Sequence, residues 1–449
     1  MARFWNVFTL RNLLVLSLAI NVSFMLRLVY VTVDIKREHM MAVDRSQREA
    51  LPMQGAYLSV SSATSSPSLA TFPDGDRDRA INLDHGDPTM YERFWQQEGD
   101  KATIVIPGWQ SMSYFSDIGN LCWFLEPEFA RQVLRLHKIV GNAVTENRHI
   151  VVGTGSTQLF QAVLYALASQ DSEEPVSVVS AAPYYSSYQA ITECLKSGLY
   201  KWEGDARSFA KEGRFIELVT SPNNPDGFLR DSVLNRSGGV LVHDFAYYWP
   251  QYTPITSSAD YDIMLFTVSK TTGHAGMRIG WALVKDREIA KRMVKYIELN
   301  SIGVSKDSQL RAAKVLKVVC DSCESSSNTT ESLFEFAYQL MVERWQNLRV
   351  AVKHSGMFSL PEFSPGFCKF TGRIFEPLPA FAWLKCEEPI EDCESFLRSN
   401  KILTRGGRHF GVGPQYVRIS LLDRDDNFDL FVERLSSIRK DNLYQHMGE

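Results

Sequence analysis

Residues 264–286 read MLFTVSKTTGHAGMRIGWALVKD, and this stretch decides the fold. Two apolar runs, Met264–Val268 and Trp281–Val284, bracket a polar turn that carries Lys270, Gly276 and Arg278. Neither run alternates with polar residues, which is the pattern of a strand buried on both faces. Working outward, Ile150–Val152, Val176–Val179, Phe215–Thr220 and Val240–Val242 have the same character. Helical patterns lie between them, such as LFQAVLYALASQ at 159–170, and longer amphipathic helices are predicted at 286–302 and 332–354. Short buried strands alternating with helices predict an α/β fold with a mostly parallel central sheet, helices on both faces, and a smaller α+β domain closing the chain. Such sheets bind ligands beyond the C-terminal ends of their strands. Ser156, Asn224, Asp244, Thr267 and Lys270 all lie just past strand ends, so they are expected to converge although they are distant in sequence.

Composition bounds the chemistry. The 449 residues are 45% hydrophobic and 22% charged, with a formal net charge of −4, which excludes wholesale disorder and leaves no electrostatic footprint for nucleic acid. Seven cysteines include the pair Cys320 and Cys323, but no second pair or histidine pair lies at zinc-site spacing, so no metal is expected. Reduced thiols in a cytosol-facing domain are the expectation for the set. The glycine turn Gly153–Thr157 is neither a Walker loop nor a dinucleotide fingerprint; it is either a plain strand-to-helix turn or an anion cradle.

Lys270, directly after an apolar strand, either snorkels to solvent or is desolvated and free for Schiff-base chemistry. Arg278 among glycines suits a phosphate or a surface ion pair. Asp244, ending another apolar strand, needs a cation there: an arginine, or a protonated pyridine nitrogen. Tyr247 and Asn224 could donate to a phenolate oxygen, and Asn224 could equally form an Asx turn. An aldehyde-trapping lysine, a carboxylate for a ring nitrogen, two donors for a ring hydroxyl and a phosphate cradle together describe pyridoxal 5′-phosphate.

Longer strings carry a family resemblance: INLDHGDPTMYERFW (81–95), IVVGTGSTQLFQA (150–162), SAAPYYSSY (180–188), LVTSPNNPDG (218–227), VHDFAYYWPQYTPIT (242–256), FTVSKTTGHAGMRIGWALVKD (266–286) and YVRISLL (416–422). The region from Ile81 to Asn442 resembles the plant alliinase and tryptophan aminotransferase-related family of fold-type I pyridoxal-phosphate enzymes. The resemblance implies that Lys270 binds the cofactor aldehyde and moves the substrate Cα proton. It implies that Asp244 pairs with the pyridine nitrogen and that Asn224 and Tyr247 bond the ring hydroxyl. Ser156, Thr157, Thr267, Ser269 and Arg278 would hold the phosphate, and Tyr184 or Tyr185 would stack on the ring. Arg418 would take the substrate α-carboxylate, Gly86 would approach the substrate through its backbone, and Tyr114 would reach the site of a homodimeric neighbour. The implied activity is transamination of L-tryptophan with pyruvate, giving indole-3-pyruvate and L-alanine for auxin synthesis. The alternatives are a cysteine-sulfoxide C–S lyase and a catalytically silent, membrane-anchored scaffold.

The N-terminus adds an expected membrane helix. Residues 13–33, LLVLSLAINVSFMLRLVYVTV, are long and apolar enough to cross a bilayer, with Arg27 placed to snorkel. Basic residues on its C-terminal side favour a cytosolic catalytic domain, on the endoplasmic reticulum. The Ser/Thr/Pro-rich run SVSSATSSPSLATFPDGDRD reads as a tether. The expected division is an anchor (1–34), a flexible linker (35–80), an N-terminal segment of the small domain (81–112), a large cofactor domain (113–330) and a C-terminal small domain (331–449). Sequons at Asn21, Asn235 and Asn328 have no consequence in a cytosolic domain.

Overall fold

A seven-stranded sheet organises the molecule: β1 (His149–Gly153), β2 (Val176–Ser180), β3 (Tyr200–Asp205), β4 (Phe215–Thr220), β5 (Gly239–Asp244), β6 (Ile263–Thr267) and β7 (Gly280–Val284). Its order is β1-β7-β6-β5-β4-β2-β3. Pairs among β2 to β6 are parallel, whereas β7 runs antiparallel to both β1 and β6. Strands β2, β4, β6 and β7 are buried at every position, because helices cover both faces. The apolar runs in the sequence follow from that burial. The sheet therefore matches the predicted α/β architecture, with β3 added at an edge. There Lys201 is exposed and the burial is interrupted, so the periodic signal is weak.

The structure is a computed structural model that describes residues 78–168, 174–234, 236–325 and 331–439, all within one compact unit. The expected anchor at 13–33, nearly all of the linker and the three sequon asparagines lie outside the described residues. Among the described residues no helix is long and apolar enough to cross a membrane.

The two long helices fall where the sequence predicts them. Arg287–Ser301 starts at Asp286, whose side chain accepts from the Ile289 N–H at 2.8 Å, and ends at Ile302 in the left-handed conformation. Leu333–Ser355 is capped by Ser332 and closed by Gly356 at φ 65°. Between them lies Lys306–Glu324, which carries Cys320 and Cys323 one turn apart on a helix. The C-terminal section builds a four-stranded sheet in the order Arg405–Gly406, Tyr416–Ser420, Phe381–Cys386, Phe358–Ser359. Ile81–Asn82 pairs in parallel with Ile402–Leu403, which carries the following residues, Asp84 to Gly86, up to that sheet.

One expectation is corrected here. Cys386 and Cys393 form a disulfide with Cα atoms 5.5 Å apart, so the cysteines are not all reduced thiols. Cys122, Cys194, Cys320, Cys323 and Cys368 remain free.

Candidate active site

The strand ends converge as expected. A cavity of about 240 Å³ opens at the C-terminal edge of the sheet, lined by Ser156, Thr157, Tyr185, Asn224, Asp244, Tyr247, Thr267, Ser269, Lys270 and Arg278. Phe160, Tyr188, Thr220 and Ala246 complete much of the wall.

Lys270 sits on a single helical turn, Val268–Thr271, directly after β6. The Thr267 side chain caps that turn by accepting from the Ser269 N–H at 3.2 Å. Burial, reinforced by the charge of Arg418, lowers the Lys270 amine to about 8. Its Nζ donates to the main-chain oxygen of Gly86. Behind it, the Tyr252 hydroxyl donates to the Lys270 carbonyl at 3.2 Å and lies 2.7 Å from the Tyr91 hydroxyl. Gly86 cannot carry a side chain: a Cβ there would sit 2.8 Å from the Phe381 ring and 3.3 Å from Lys270 Nζ.

Asp244 ends β5 at the opposite wall. Burial pushes its carboxyl up to about 6, while the Ala246 N–H at 3.0 Å and the Tyr188 hydroxyl at 3.3 Å oppose that rise. Tyr188 also lies 2.6 Å from the Thr220 hydroxyl, and its ring packs against Phe160 with centroids 5.2 Å apart. Burial holds the phenols of Tyr188 and Tyr247 well above their ordinary value, so both are neutral donors.

At the third corner, the helix Gly155–Leu167 points its first turn at Arg278. Gly155 has φ +74°, and a Cβ on it would lie 2.5 Å from Arg278 Nη2. Only glycine lets the guanidinium lie against the exposed N–H groups of that turn. Arg278 itself adopts φ 57°, with Nη1 donating to Ala275 O at 2.9 Å. Two cationic features face the cavity here without a carboxylate ion pair among the described residues.

Arg418, on the strand Tyr416–Ser420, is 3% exposed. Its guanidinium lies 4.2 Å from the Phe381 ring centroid and donates from Nη1 to Asn224 Oδ1 at 3.1 Å and from Nη2 to Asp84 O. Its Nε is buried without a partner. Burial lowers this guanidinium to about 10.

Two expectations change, those for Tyr184 and Thr267. Tyr184 faces away from the cavity: its ring packs edge-on against Trp202 at 5.0 Å and lies against Gly411. Adjacent residues point in different directions, and Tyr185 is the one on the cavity wall. Tyr114, expected to reach a neighbour's site, is 70% exposed on its own chain and stands clear of that chain's cavity. Thr267 lines the cavity, but its hydroxyl is occupied with Ser269 and with Ile279 O at 3.1 Å, which leaves it little to offer a ligand. Sequence reasoning missed Tyr188, Thr220, Phe381 and the pair Asp84–Arg405. The string SAAPYYSSY held Tyr188, and the end of β4 held Thr220, but neither position signals its partner.

The residues fit pyridoxal 5′-phosphate. The glycine-made cradle at Arg278 suits a dianion, Asp244 has no cationic partner among the described residues, and Arg418 has an unused buried donor. A lysine lowered by burial at the end of β6 faces a buried carboxylate at the end of the neighbouring β5, and the sheet that sets them there has this strand order. That combination defines the fold-type I pyridoxal-phosphate enzymes, a class of aminotransferases and lyases. Aspartate aminotransferase of Rhizobium meliloti shares the fold, with TM-score 0.58, 17% identity, and coverage of 81% of this chain and 92% of that one. Within the class the sequence is more specific. The family model described as Allinase matches residues 81–439, and the chain belongs to that family. It is 60% identical to tryptophan aminotransferase-related protein 2 of Arabidopsis thaliana, over 95% of this chain and 96% of the relative. It is 38% identical to alliin lyase of Allium cepa var. aggregatum, over 77% and 78%.

Proposed function

We propose that the chain is a pyridoxal-phosphate-dependent aminotransferase that converts L-tryptophan and pyruvate to indole-3-pyruvate and L-alanine, serving auxin synthesis. The observation that carries the pyridoxal-phosphate-enzyme reading is Lys270, desolvated and lowered to about 8, set between Arg418 and the Asp244 wall. The tryptophan part is supported by the 60% identity to a tryptophan aminotransferase-related protein, against 38% for an alliin lyase.

Pyridoxal 5′-phosphate, when bound, supplies an aldehyde for an amino group and a protonated ring that takes up the electron pair left at Cα. Ser156, Thr157, Ser269 and Arg278 would hold its phosphate, with Thr267 shaping the turn beneath. Asp244 would keep the ring nitrogen protonated, Asn224 and Tyr247 would bond the ring hydroxyl, and Tyr185 would cover one face. Arg418 binds the substrate carboxylate in a fork, which fixes the amino acid's orientation. Lys270 Nζ, neutral in part near pH 8, takes the Cα proton and later returns it. Gly86, with no side chain, leaves room beside that amine. The lyase alternative uses the same lysine, because loss of a sulfur leaving group begins with the same proton removal. A silent scaffold is disfavoured by the completeness of the constellation.

Purified protein with L-tryptophan and pyruvate is expected to form indole-3-pyruvate and alanine. Ammonia and pyruvate from a cysteine sulfoxide, with no transamination, would overturn the reading in favour of the lyase. Silence with both would favour the scaffold.

The reading includes a homodimer, in which Tyr114 reaches the neighbour's cavity. It is supported by Val105, Trp109, Met112, Tyr114 and Ile118, each at least 70% exposed, an apolar surface that a second copy would cover. It also includes an endoplasmic-reticulum anchor at 13–33 with the catalytic part in the cytosol, an argument from sequence alone. Alkaline extraction and protease protection of membranes test that topology.

A further inference from the structure

The string INLDHGDP contributes more than Gly86. Arg405 and Arg418 stand directly opposite each other on neighbouring antiparallel strands. Like charges in that position repel, and both are drawn from water. Asp84 resolves the conflict with two different groups. Its carboxylate takes Arg405 as a fork, Oδ1 to Nε at 2.5 Å and Oδ2 to Nη2 at 3.1 Å. Its main-chain oxygen accepts from Arg418 Nη2. Two residues on, the Gly86 oxygen accepts from Lys270 Nζ. The third face of Arg405 is tied to the cofactor wall, with Nη1 donating to Ser186 Oγ at 3.0 Å, beside Tyr185.

We infer that Asp84 and Arg405 are positioning residues for substrate binding: their ion pair fixes the Asp84–Gly86 turn, whose two carbonyls aim Arg418 and Lys270. Neutralising Arg405 also leaves Arg418 as the cation at this corner not matched by a carboxylate, free for the substrate's. The inference deepens the aminotransferase reading and rests on it for Arg418's role. A bidentate pair, half withdrawn from solvent, is the geometry in which an ion pair contributes measurably.

The test uses the full chain loaded with pyridoxal 5′-phosphate, comparing Asp84→Asn, Arg405→Gln, the double variant and Arg405→Lys. Two readouts are taken: KM and kcat for L-tryptophan with pyruvate, and calorimetric binding of 3-phenylpropionate, an unreactive carboxylate. Each single variant is expected to raise KM and the carboxylate Kd about tenfold while kcat falls less than about threefold. The double variant is expected to match the singles, because both remove one interaction, and Arg405→Lys to recover part of the loss. Thermal melting within a few degrees of wild type excludes general unfolding, and a variant that fails it is replaced by the charge-exchanged pair Asp84→Arg with Arg405→Asp, expected to bind the carboxylate more tightly than either half. Unchanged carboxylate affinity, or single effects that add in the double variant, overturns the inference, as does a wild type that does not bind the carboxylate. A wild type that binds the carboxylate but transaminates nothing overturns the aminotransferase reading instead.

Discussion

The cavity has two buried ionisable ends, and burial acts on them in opposite directions. At the Asp244 end it raises a carboxyl to about 6, and the Ala246 N–H and Tyr188 hydroxyl pull back towards the charged form. At the Lys270 end it lowers an amine to about 8, and the neighbouring charge of Arg418 pushes the same way. One end is built to keep a charge that burial disfavours, the other to shed one. Between pH 6 and 8 the cofactor-free site therefore carries both costs, an ionised Asp244 and a largely protonated Lys270. A ligand that brings a ring cation to one and forms a covalent bond with the other relieves both at once.

The sharpest way to break this comparison is to remove the amine. Lys270→Ala is expected to lower turnover by at least about 10⁴-fold and to abolish the visible absorbance that the bound cofactor gives through that lysine. Full activity with intact absorbance would sink the assignment. Asp244→Asn tests the other end. An amide cannot hold a ring nitrogen protonated, so kcat should drop on the order of 10³-fold, about 4 kcal/mol of barrier, with the cofactor still attached to Lys270. A drop of less than about tenfold in steady-state kcat would show that the carboxylate is structural.

The pH dependence separates the ends in one experiment. Asp244's folded value lies above its ordinary 3.8. Its stability contribution is therefore complete below about pH 4 and lost as pH rises through 6, some 3 kcal/mol at about 1.4 kcal/mol per unit. Lys270's folded value lies below its ordinary 10.5. Its contribution is complete above that and lost as pH falls through 8, by a similar ~3 kcal/mol. Urea unfolding of cofactor-free protein should show the first window vanish in Asp244→Asn and the second in Lys270→Met. Identical curves for wild type and both variants would contradict the account.

The ends also differ in how far the sequence revealed them. Lys270 and Asp244 were legible because each follows a short apolar run, fully buried in β6 and only partly buried in β5, where a charged group stands out. The same logic missed β3, an edge strand with Lys201 in the open. Tyr184 and Tyr185 could not be told apart, since neighbouring residues carry equal pattern weight and only the turn decides which one reaches the cavity. Tyr188 and Thr220 meet at 2.6 Å across 32 residues, and Asp84 meets Arg405 across 321. Such pairings are products of tertiary packing and leave no local periodicity. The Cys386–Cys393 bond was missed for a related reason: composition argued for thiols, and proximity depends on how the strand at 381–386 meets the helix at 393–399.

The finest probe of the comparison is Tyr188→Phe, which changes one donor at the Asp244 end and leaves the Lys270 end alone. The phenol gives Asp244 one long bond at 3.3 Å and shares a shorter one with Thr220 at 2.6 Å. Losing it removes a group that favours the carboxylate, so Asp244's folded value should climb further, by less than about one unit because the Ala246 N–H remains. The upper edge of the acid window in the unfolding curves should move to higher pH, and stability at neutral pH should fall by about 1 kcal/mol. The alkaline window of Lys270 should not move. If the acid window stays in place, burial and the Ala246 N–H set Asp244, and Tyr188 serves the wall through its contact with Phe160. If both windows move, the two ends are coupled through the cavity, and neither can be treated as a separate device.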